Sequence, residues 1–299
     1  MVAEHDQVTE EPTLVRRRFS LRRMLGSLEG VVGLLLTGSV CLVGLVGAQF
    51  STGDPMAMAN PLFLAPSSRF PMGTDAVGRE VFPRVVQGIG TSLSVVVLVM
   101  LMSTVVGITA GALAGYRGGV VDSLVMRLVD VVQAVPRLLV AIVVVALLGS
   151  GLDKLVLLLG LTSWTFLARL VRAEVLSLKR REFVESARAA GASGPQIMLH
   201  HVLPNVLPAV LAVLPLMASQ VILIEAALAF LGLSDQGRVS LGFLIAEAQP
   251  HLQYYWWLSV FPGAVLVALV LGLNLAGQAL SEILNPVAHD LQSADGAAP

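Results

Sequence analysis

The chain has 299 residues, of which 56% are hydrophobic and only 13% are charged, and its mean hydropathy is +0.82. This composition excludes an ordinary soluble domain and indicates an integral membrane protein. The formal net charge of −1 gives no support for a nucleic acid partner. A single cysteine, Cys41, excludes both a disulfide within the chain and a metal site built from cysteines.

Six runs of mostly apolar residues are long enough to cross about 30 Å of hydrocarbon at about 1.5 Å per residue. They lie near residues 31–48, 91–115, 123–148, 155–171, 205–231 and 257–280. The third run contains Pro136, so we predict that it begins in or near the interface and kinks at the proline. Arg127 and Asp130 in the same run are three residues apart and are predicted to form a local ion pair.

An arginine cluster precedes the first apolar run and orients the chain. The tail that carries it is too long and too polar for a secretory signal, so we expect the first span to be an uncleaved anchor. By the positive-inside rule, both termini are predicted to be cytoplasmic. The predicted organisation is an N-terminal tail at 1–28, a first transmembrane helix at 29–50, an extracytoplasmic loop at 51–90, a core domain at 91–286 and a C-terminal tail at 287–299.

A polar segment at about 179–204 separates two apolar runs and is predicted to be cytoplasmic. Gly191 is expected to end a first short helix, and Ser193 to cap a second one that ends before Pro204. One face of this helix-turn-helix is formed by Glu185, Arg188, Ala189 and Ala192. The small residues on this face leave a low surface that another protein could approach closely.

Three interpretations of the polar segment compete. A solvated connection is usually shorter than this segment. A DNA-reading helix-turn-helix needs a basic recognition helix, which this segment lacks, and its two ends are tethered to the bilayer. The segment therefore favours a docking surface for a partner protein.

The pattern of Glu185, Ala187 and Gly191 followed by Leu203-Pro204 resembles the signature loop of permease subunits of ABC importers that depend on a binding protein. Further matching motifs, within about 73–286, resemble the "C" type permease of the dipeptide, oligopeptide and nickel branch. They lie at 73–80, 115–119, 230–233, 262–263 and 274–275. Ser186 departs from the pattern, where a second alanine is usual, and so do the stretches 234–238 and 277–282.

The resemblance implies an all-α membrane protein with six transmembrane helices and the type I ABC importer permease fold. It implies that the cytoplasmic loop supplies a coupling helix for a groove of an ATP-binding subunit. The implied coupling residues are Glu185, Ser186, Ala187, Gly191, Leu203 and Pro204. It also implies a multi-pass protein in the lipid bilayer of the bacterial plasma (inner) membrane, with three protein partners: a second homologous permease, ABC ATPase subunits and an extracytoplasmic substrate-binding protein.

The implied function is ATP-driven import of di- and oligopeptides, with nickel or a metal chelate as the alternative substrate. A gradient-driven secondary transporter is a more distant alternative, because the sequence has no visible inverted repeat. A channel subunit would need a filter-like glycine repeat, which is also absent. A sensor or scaffold without transport activity is the remaining alternative.

No catalytic residue, cofactor or metal ligand is expected in this chain. The sequence has no Gly-x-x-x-x-Gly-Lys-Ser/Thr phosphate loop, so ATP and Mg are expected on the partner ATPase subunits. Among the five histidines, only His200 and His201 are adjacent, and adjacent helical residues point about 100° apart, which disfavours a shared metal. No nucleophile, base and orienting group form a catalytic pattern, so the chain is not expected to be an enzyme.

Two polar residues within the apolar runs are candidates for the substrate path or for contacts between helices. Glu225 either lines the path or pairs with an arginine of the second permease, because an ionisable group at membrane depth is costly. Asn274 is expected to bond to another helix. The loop at 73–84 is predicted to form a structured turn that opens a helix rather than a substrate contact.

Overall fold

The computed structural model describes residues 26–50, 55–233 and 237–284, and the side chains of 48–50 are not described. The predicted arginine-rich tail, the C-terminal tail and most of the 234–238 stretch lie outside these residues. Within the described residues the chain forms α-helices joined by turns, with no β-strand beyond one isolated bridge between Thr74 and Glu80. The all-α prediction is therefore confirmed.

Five helices are long and apolar enough to cross a membrane, and a bent pair raises the number to six if it counts as one span. The five are α1 (Leu28–Phe50), α2 (Val81–Arg117), α5 (Leu152–Leu178), α8 (Leu203–Phe230) and α10 (Trp257–Leu284). The pair is α3 (Gly119–Ala134) and α4 (Arg137–Leu148). Within the described residues, five shorter elements remain: α6 (Glu182–Ala189), α7 (Gly194–Ile197), a π-helical turn (Met198–Val202), α9 (Leu241–Ala248) and the 3₁₀ turn that follows it (Gln249–His251).

The predicted kink in the third apolar run is confirmed, and it is sharper than a bend within one helix. Helices α3 and α4 meet at 76°. Val135 has the extended backbone angles φ −98° and ψ 128°, because a residue before proline is disfavoured in the α conformation. Pro136 therefore ends α3 and lets α4 start in a new direction.

The predicted ion pair between Arg127 and Asp130 is wrong. Asp130 instead accepts a hydrogen bond from Arg169 of α5, with an Nη2 to Oδ1 distance of 2.5 Å. One helix face of α3 is turned towards α5, where Arg172 also forms a bidentate ion pair with Asp122. The carboxylates on α3 thus serve contacts between helices rather than within one helix.

Helices α2 and α5 pack closely because glycines on α2 leave no side chain between them. Gly107, Gly111 and Gly115 recur every four residues and lie on one helix face. A Cβ atom at Gly111 would lie 2.5 Å from the backbone oxygen of Ala168, and one at Gly107 would lie 2.6 Å from Leu167 Cβ. Small residues at this spacing allow helices to approach closely in a membrane.

Helix α1 packs against α10 of the same chain by a similar close approach. A Cβ at Gly33 would lie 2.5 Å from the backbone nitrogen of Ala276. A Cβ at Gly272 would in turn lie 2.8 Å from the backbone nitrogen of Thr37. The first helix is therefore part of the helical bundle, and α2 begins at Val81, earlier than the predicted span at 91.

Candidate functional site

The polar segment (residues 179–204) is anchored by a row of apolar side chains on its inner side. Val184 of α6, Ile197 of α7 and Val202 of the π-helical turn are at most 1% exposed. They share a hydrophobic cluster with residues from α5 and α8, namely Leu167, Val171, Val175 and Val206. This shared core fixes the short helices to the ends of two long ones.

The outer side of the polar segment is exposed. Glu185, Ser186, Arg188 and Gly191 are exposed, whereas Ala187 is half-buried against the shared core. Ala192, predicted on the same outer face, is half-buried because it packs against the shared core, and its backbone N–H donates to the Ala187 carbonyl at 3.0 Å. The segment therefore presents a mixed polar surface on a rigid base.

The turn between α6 and α7 has the geometry that the sequence predicts. Gly191 has φ +84°, a conformation that side chains other than glycine rarely adopt, and the space around it is open. Gln196 Oε1 accepts hydrogen bonds from the backbone N–H and the hydroxyl of Ser193, at 2.9 and 2.8 Å. The predicted cap at Ser193 is thus confirmed, and the turn has two independent constraints.

The predicted end of the second short helix before Pro204 is wrong. Helix α7 continues through the π-helical turn into α8, so that one helical path runs from Gly194 to Phe230. Leu203 and Pro204 lie in the first turn of α8, directly after the π-helical turn. The polar segment is consequently continuous with a membrane-spanning helix.

A contact that sequence reasoning missed joins the polar segment to α2. Lys179 Nζ donates a hydrogen bond to the Tyr116 carbonyl at 2.6 Å and lies 5.5 Å from the centre of the Tyr116 ring. The Tyr116 hydroxyl also closes over Gly194, whose added Cβ would lie 2.9 Å from it. Tyr116 therefore contacts both the start of the segment and the start of α7, and its place in the matched stretch 115–119 was the sequence signal for it.

On the opposite side of the bundle, four charged residues form a group that we call the outer cluster: Asp75, Arg79, Arg84 and Glu247. Asp75 Oδ2 accepts from Arg79 Nε at 2.6 Å and from Arg84 Nη1 at 2.8 Å. Arg84 Nη2 lies 2.7 Å from Glu247 Oε2, and Arg79 donates to the other oxygen of Glu247. The cluster joins the predicted structured turn at 73–84 to α9.

Arg79 of the outer cluster retains its positive charge. Burial would lower the pKa of Arg79, but the hydrogen bonds and charges of Asp75 and Glu247 outweigh it and raise the pKa above its ordinary value. Arg84 is 2% exposed at its side chain, so its charge is compensated almost entirely by these two carboxylates. Glu247 was not singled out from the sequence, because nothing along the chain links it to the 73–84 turn.

Glu225 and Asn274 both lie between helices of this chain. Glu225 is 3% exposed and accepts a hydrogen bond from Ser92 of α2 at 3.2 Å. Asn274 Oδ1 accepts from Ser219 of α8 at 3.1 Å, which confirms the expected bond to another helix. Among the described residues, no group of three or more His, Cys, Asp or Glu is arranged to hold a metal ion.

Comparison with known proteins identifies the family. Residues 107–288 match the family described as "Binding-protein-dependent transport system inner membrane component", and the chain belongs to this family. It is 34% identical to the dipeptide transport system permease protein DppC of Alkalihalophilus pseudofirmus, over 86% of this chain and 85% of the relative. It is 33% identical to the di/tripeptide transport system permease protein DppC of Pseudomonas aeruginosa, over 96% and 98%.

A third relative is the oligopeptide transport system permease protein OppC of Bacillus subtilis, 31% identical over 86% of this chain and 85% of the relative. Among solved structures, the fold is similar to a chain of the MetNI methionine ABC transporter in an inward facing conformation. The TM-score is 0.55 at 20% identity, and the match covers 68% of this chain and 96% of that chain. The predicted ABC permease fold is thereby confirmed.

Proposed function

We propose that this chain is the transmembrane permease subunit of an ATP-driven importer that moves di- and oligopeptides into the cell across the bacterial plasma membrane. The relatives that cover most of the chain are named as dipeptide, di/tripeptide and oligopeptide permeases, which supports a peptide substrate. The observation that carries the proposal is the rigid polar segment, exposed on one side and continuous with α8 on the other.

The polar segment is the surface that receives the ATPase. Glu185, Ser186 and Gly191 present the contact surface, while Ala187 packs on the core beneath it. A push on this surface passes to α8 through Leu203 and Pro204, because no break separates them from the segment. Packed helices move as rigid bodies, so the ATPase cycle changes the tilt of α8 relative to its neighbours.

The remaining subunits supply what this chain does not. Partner ATPase subunits bind ATP and Mg and hydrolyse the nucleotide, and a second homologous permease completes the pathway. An extracytoplasmic binding protein delivers the peptide to the side that carries the outer cluster. Both termini of this chain are in the cytoplasm, on the side of the polar segment.

Purification tests the assignment. We would express the chain with its genomic neighbours, purify it in mild detergent and reconstitute the complex in liposomes. The proposal predicts that a second permease and ATPases copurify, and that a peptide-loaded binding protein stimulates both hydrolysis and peptide uptake. Stimulation by a metal-loaded binding protein alone would assign the substrate to nickel or a metal chelate, and recovery of the chain without any ATPase would contradict the importer.

A second test addresses the polar segment. We expect Gly191→Val to keep ATP hydrolysis but to lower peptide uptake per ATP by about tenfold, since the side chain forces the turn out of its φ +84° conformation. Gly149→Val is the matched control, because Gly149 also has a positive φ (+77°) and its added Cβ would meet only Lys154 Nζ, at 3.6 Å, but it follows α4 on the opposite side of the bundle. Equal losses in both variants would contradict a coupling role.

A further inference from the structure

A cavity of about 200 Å³ lies between α4, α5 and α8. Most of its lining is apolar, with Phe166, Val213 and Met217 among the side chains. Three polar residues also line it, one from each helix: Arg137, Ser163 and Gln220. A cavity with an apolar wall and a few convergent polar groups is the form that a small-molecule site takes.

Counting residues along the three helices places the three polar residues near the middle of the membrane. Arg137 is 11 residues from the end of α4 at Leu148, Ser163 is 11 from the start of α5 at Leu152, and Gln220 is 10 from the end of α8 at Phe230. At about 1.5 Å per residue these positions are about 15 to 17 Å from the helix ends, roughly half of a hydrocarbon layer of about 30 Å.

These helix ends face the same side of the bundle. A three-residue connection joins α4 to α5, and a small cavity is lined by Leu152 of α5 together with Glu225 of α8 and Ser240. Glu225 lies five residues before the end of α8, so these helix ends agree in level to within about one and a half turns. The polar groups of the larger cavity are near one another because all three line it.

Arg137 forms no ion pair with any residue that the structure describes. Among the described residues, the ion pairs of the membrane domain and its outer turn join other arginines to Asp75, Asp122, Asp130 and Glu247. The buried hydroxyl of Ser163, 2% exposed, has no hydrogen-bond partner either. A lone cation and an unpaired hydroxyl at membrane depth are costly unless something else satisfies them.

The bend between α3 and α4 brings Arg137 into this cavity. Gln133 Nε2, at the end of α3, donates to Thr165 Oγ1 of α5 at 3.0 Å and fixes the bend against α5. Because Pro136 ends α3, Arg137 occupies the first turn of α4, where backbone N–H groups lack partners within the helix. The positive end of the α4 dipole thus adds to the guanidinium charge.

We propose that Arg137, together with Ser163 and Gln220, binds the carboxylate of the peptide as it crosses the middle of the membrane. The inference rests on the proposed function. A guanidinium binds a carboxylate with two parallel hydrogen bonds, and every peptide with a free C-terminus carries this group whatever its side chains. The same charge repels a bare divalent cation, so the site favours peptides over free nickel.

The test uses the complete complex in liposomes, with a peptide-loaded binding protein. For Arg137→Gln we expect a fall of at least about tenfold in peptide taken up per ATP, the size of one lost charge-assisted interaction. Arg137→Lys keeps the charge, so its peptide uptake per ATP should lie between that of the wild type and that of Arg137→Gln. Arg127→Gln is the matched control, since it removes an arginine of the same bent pair that does not line the cavity.

The outcomes are separable. If the wild-type complex takes up no peptide, the proposed function fails and the inference fails with it. If the wild type takes up peptide and Arg137→Gln equals it, only the inference is overturned. If Arg137→Gln loses the second permease on purification or lowers the melting temperature of the complex, the arginine pairs with a carboxylate of that subunit, and the inference is again overturned.

Discussion

Arg84 and Arg137 are both shielded from water, but the chain treats them differently. Arg84 in the outer cluster is 2% exposed and lies between the carboxylates of Asp75 and Glu247. Arg137 is half-buried near the membrane midplane and borders a cavity with no carboxylate of its own chain among the described residues. The charge of Arg84 is compensated by carboxylates of the same chain. The charge of Arg137 is available to a group from outside the described chain.

The difference separates a structural charge from a functional one. A buried charge that is fully paired contributes to the folded state, and removal of one partner leaves the others uncompensated. An unpaired charge at membrane depth contributes nothing to folding, so its presence indicates a role in binding. Stability and transport should therefore respond in opposite ways to substitutions at the two positions.

The largest effect on stability is expected at Arg84. Arg84→Met leaves Asp75 and Glu247 to share Arg79 alone, and breaking a buried pair in this way costs about 3 to 5 kcal/mol. Thermal unfolding of the purified complex in detergent measures this loss of stability, and we expect a melting temperature lowered by several degrees. Arg69→Met is the control, because Arg69 is exposed and contacts only the Phe70 ring at 5.3 Å among the described interactions. A loss no greater than the control's would show that the outer cluster is not structural.

The neutral pair of Asn274 and Ser219, which joins two membrane helices, is expected to have an intermediate effect on stability. Asn274→Leu removes one of the two acceptors that share the single Ser219 hydroxyl proton, and the Leu216 carbonyl at 2.8 Å remains to accept it. We expect a loss of about 0.6 kcal/mol, the average for such bonds between membrane helices. Ser259→Ala is its control, since among the described residues this half-buried hydroxyl at the start of α10 bonds only to the carbonyl of Trp256, directly before the helix. A loss above about 2 kcal/mol would place Asn274 in a larger network.

The sequence predicts the spans and the bend well, because both depend on local properties. Apolar length determines which segments cross the membrane, and Pro136 acts on the residue directly before it. The polar segment was also recognisable, since Gly191 and Ser193 act within a few residues of their position.

The contacts between distant segments could not be predicted. Asp130 was assigned to Arg127 on its own helix, although its partner Arg169 comes from α5. Glu247 reaches Arg84 only because α9 folds back against the start of α2. The sequence pattern of a single helix predicts which face is apolar, but not which neighbouring helix that face contacts. The continuous helical path from α7 through Pro204 into α8 depends on a π-helical turn, which has no local sequence signal.

The smallest effect on stability is expected at Arg137, where the effect on transport is large. Arg137→Gln removes a cation that no carboxylate of the described chain compensates, so the free energy of unfolding should stay within about 0.5 kcal/mol of the wild type or rise. The same thermal unfolding experiment compares the stability of Arg137→Gln with that of Arg84→Met. A loss approaching that of Arg84→Met would mean that Arg137 is compensated in the assembled complex, and the contrast between the two arginines would then lie in which subunit supplies the carboxylate. Unchanged stability together with reduced uptake per ATP would instead assign Arg137 to the substrate, because a residue that folding does not use and transport requires must act on what is transported.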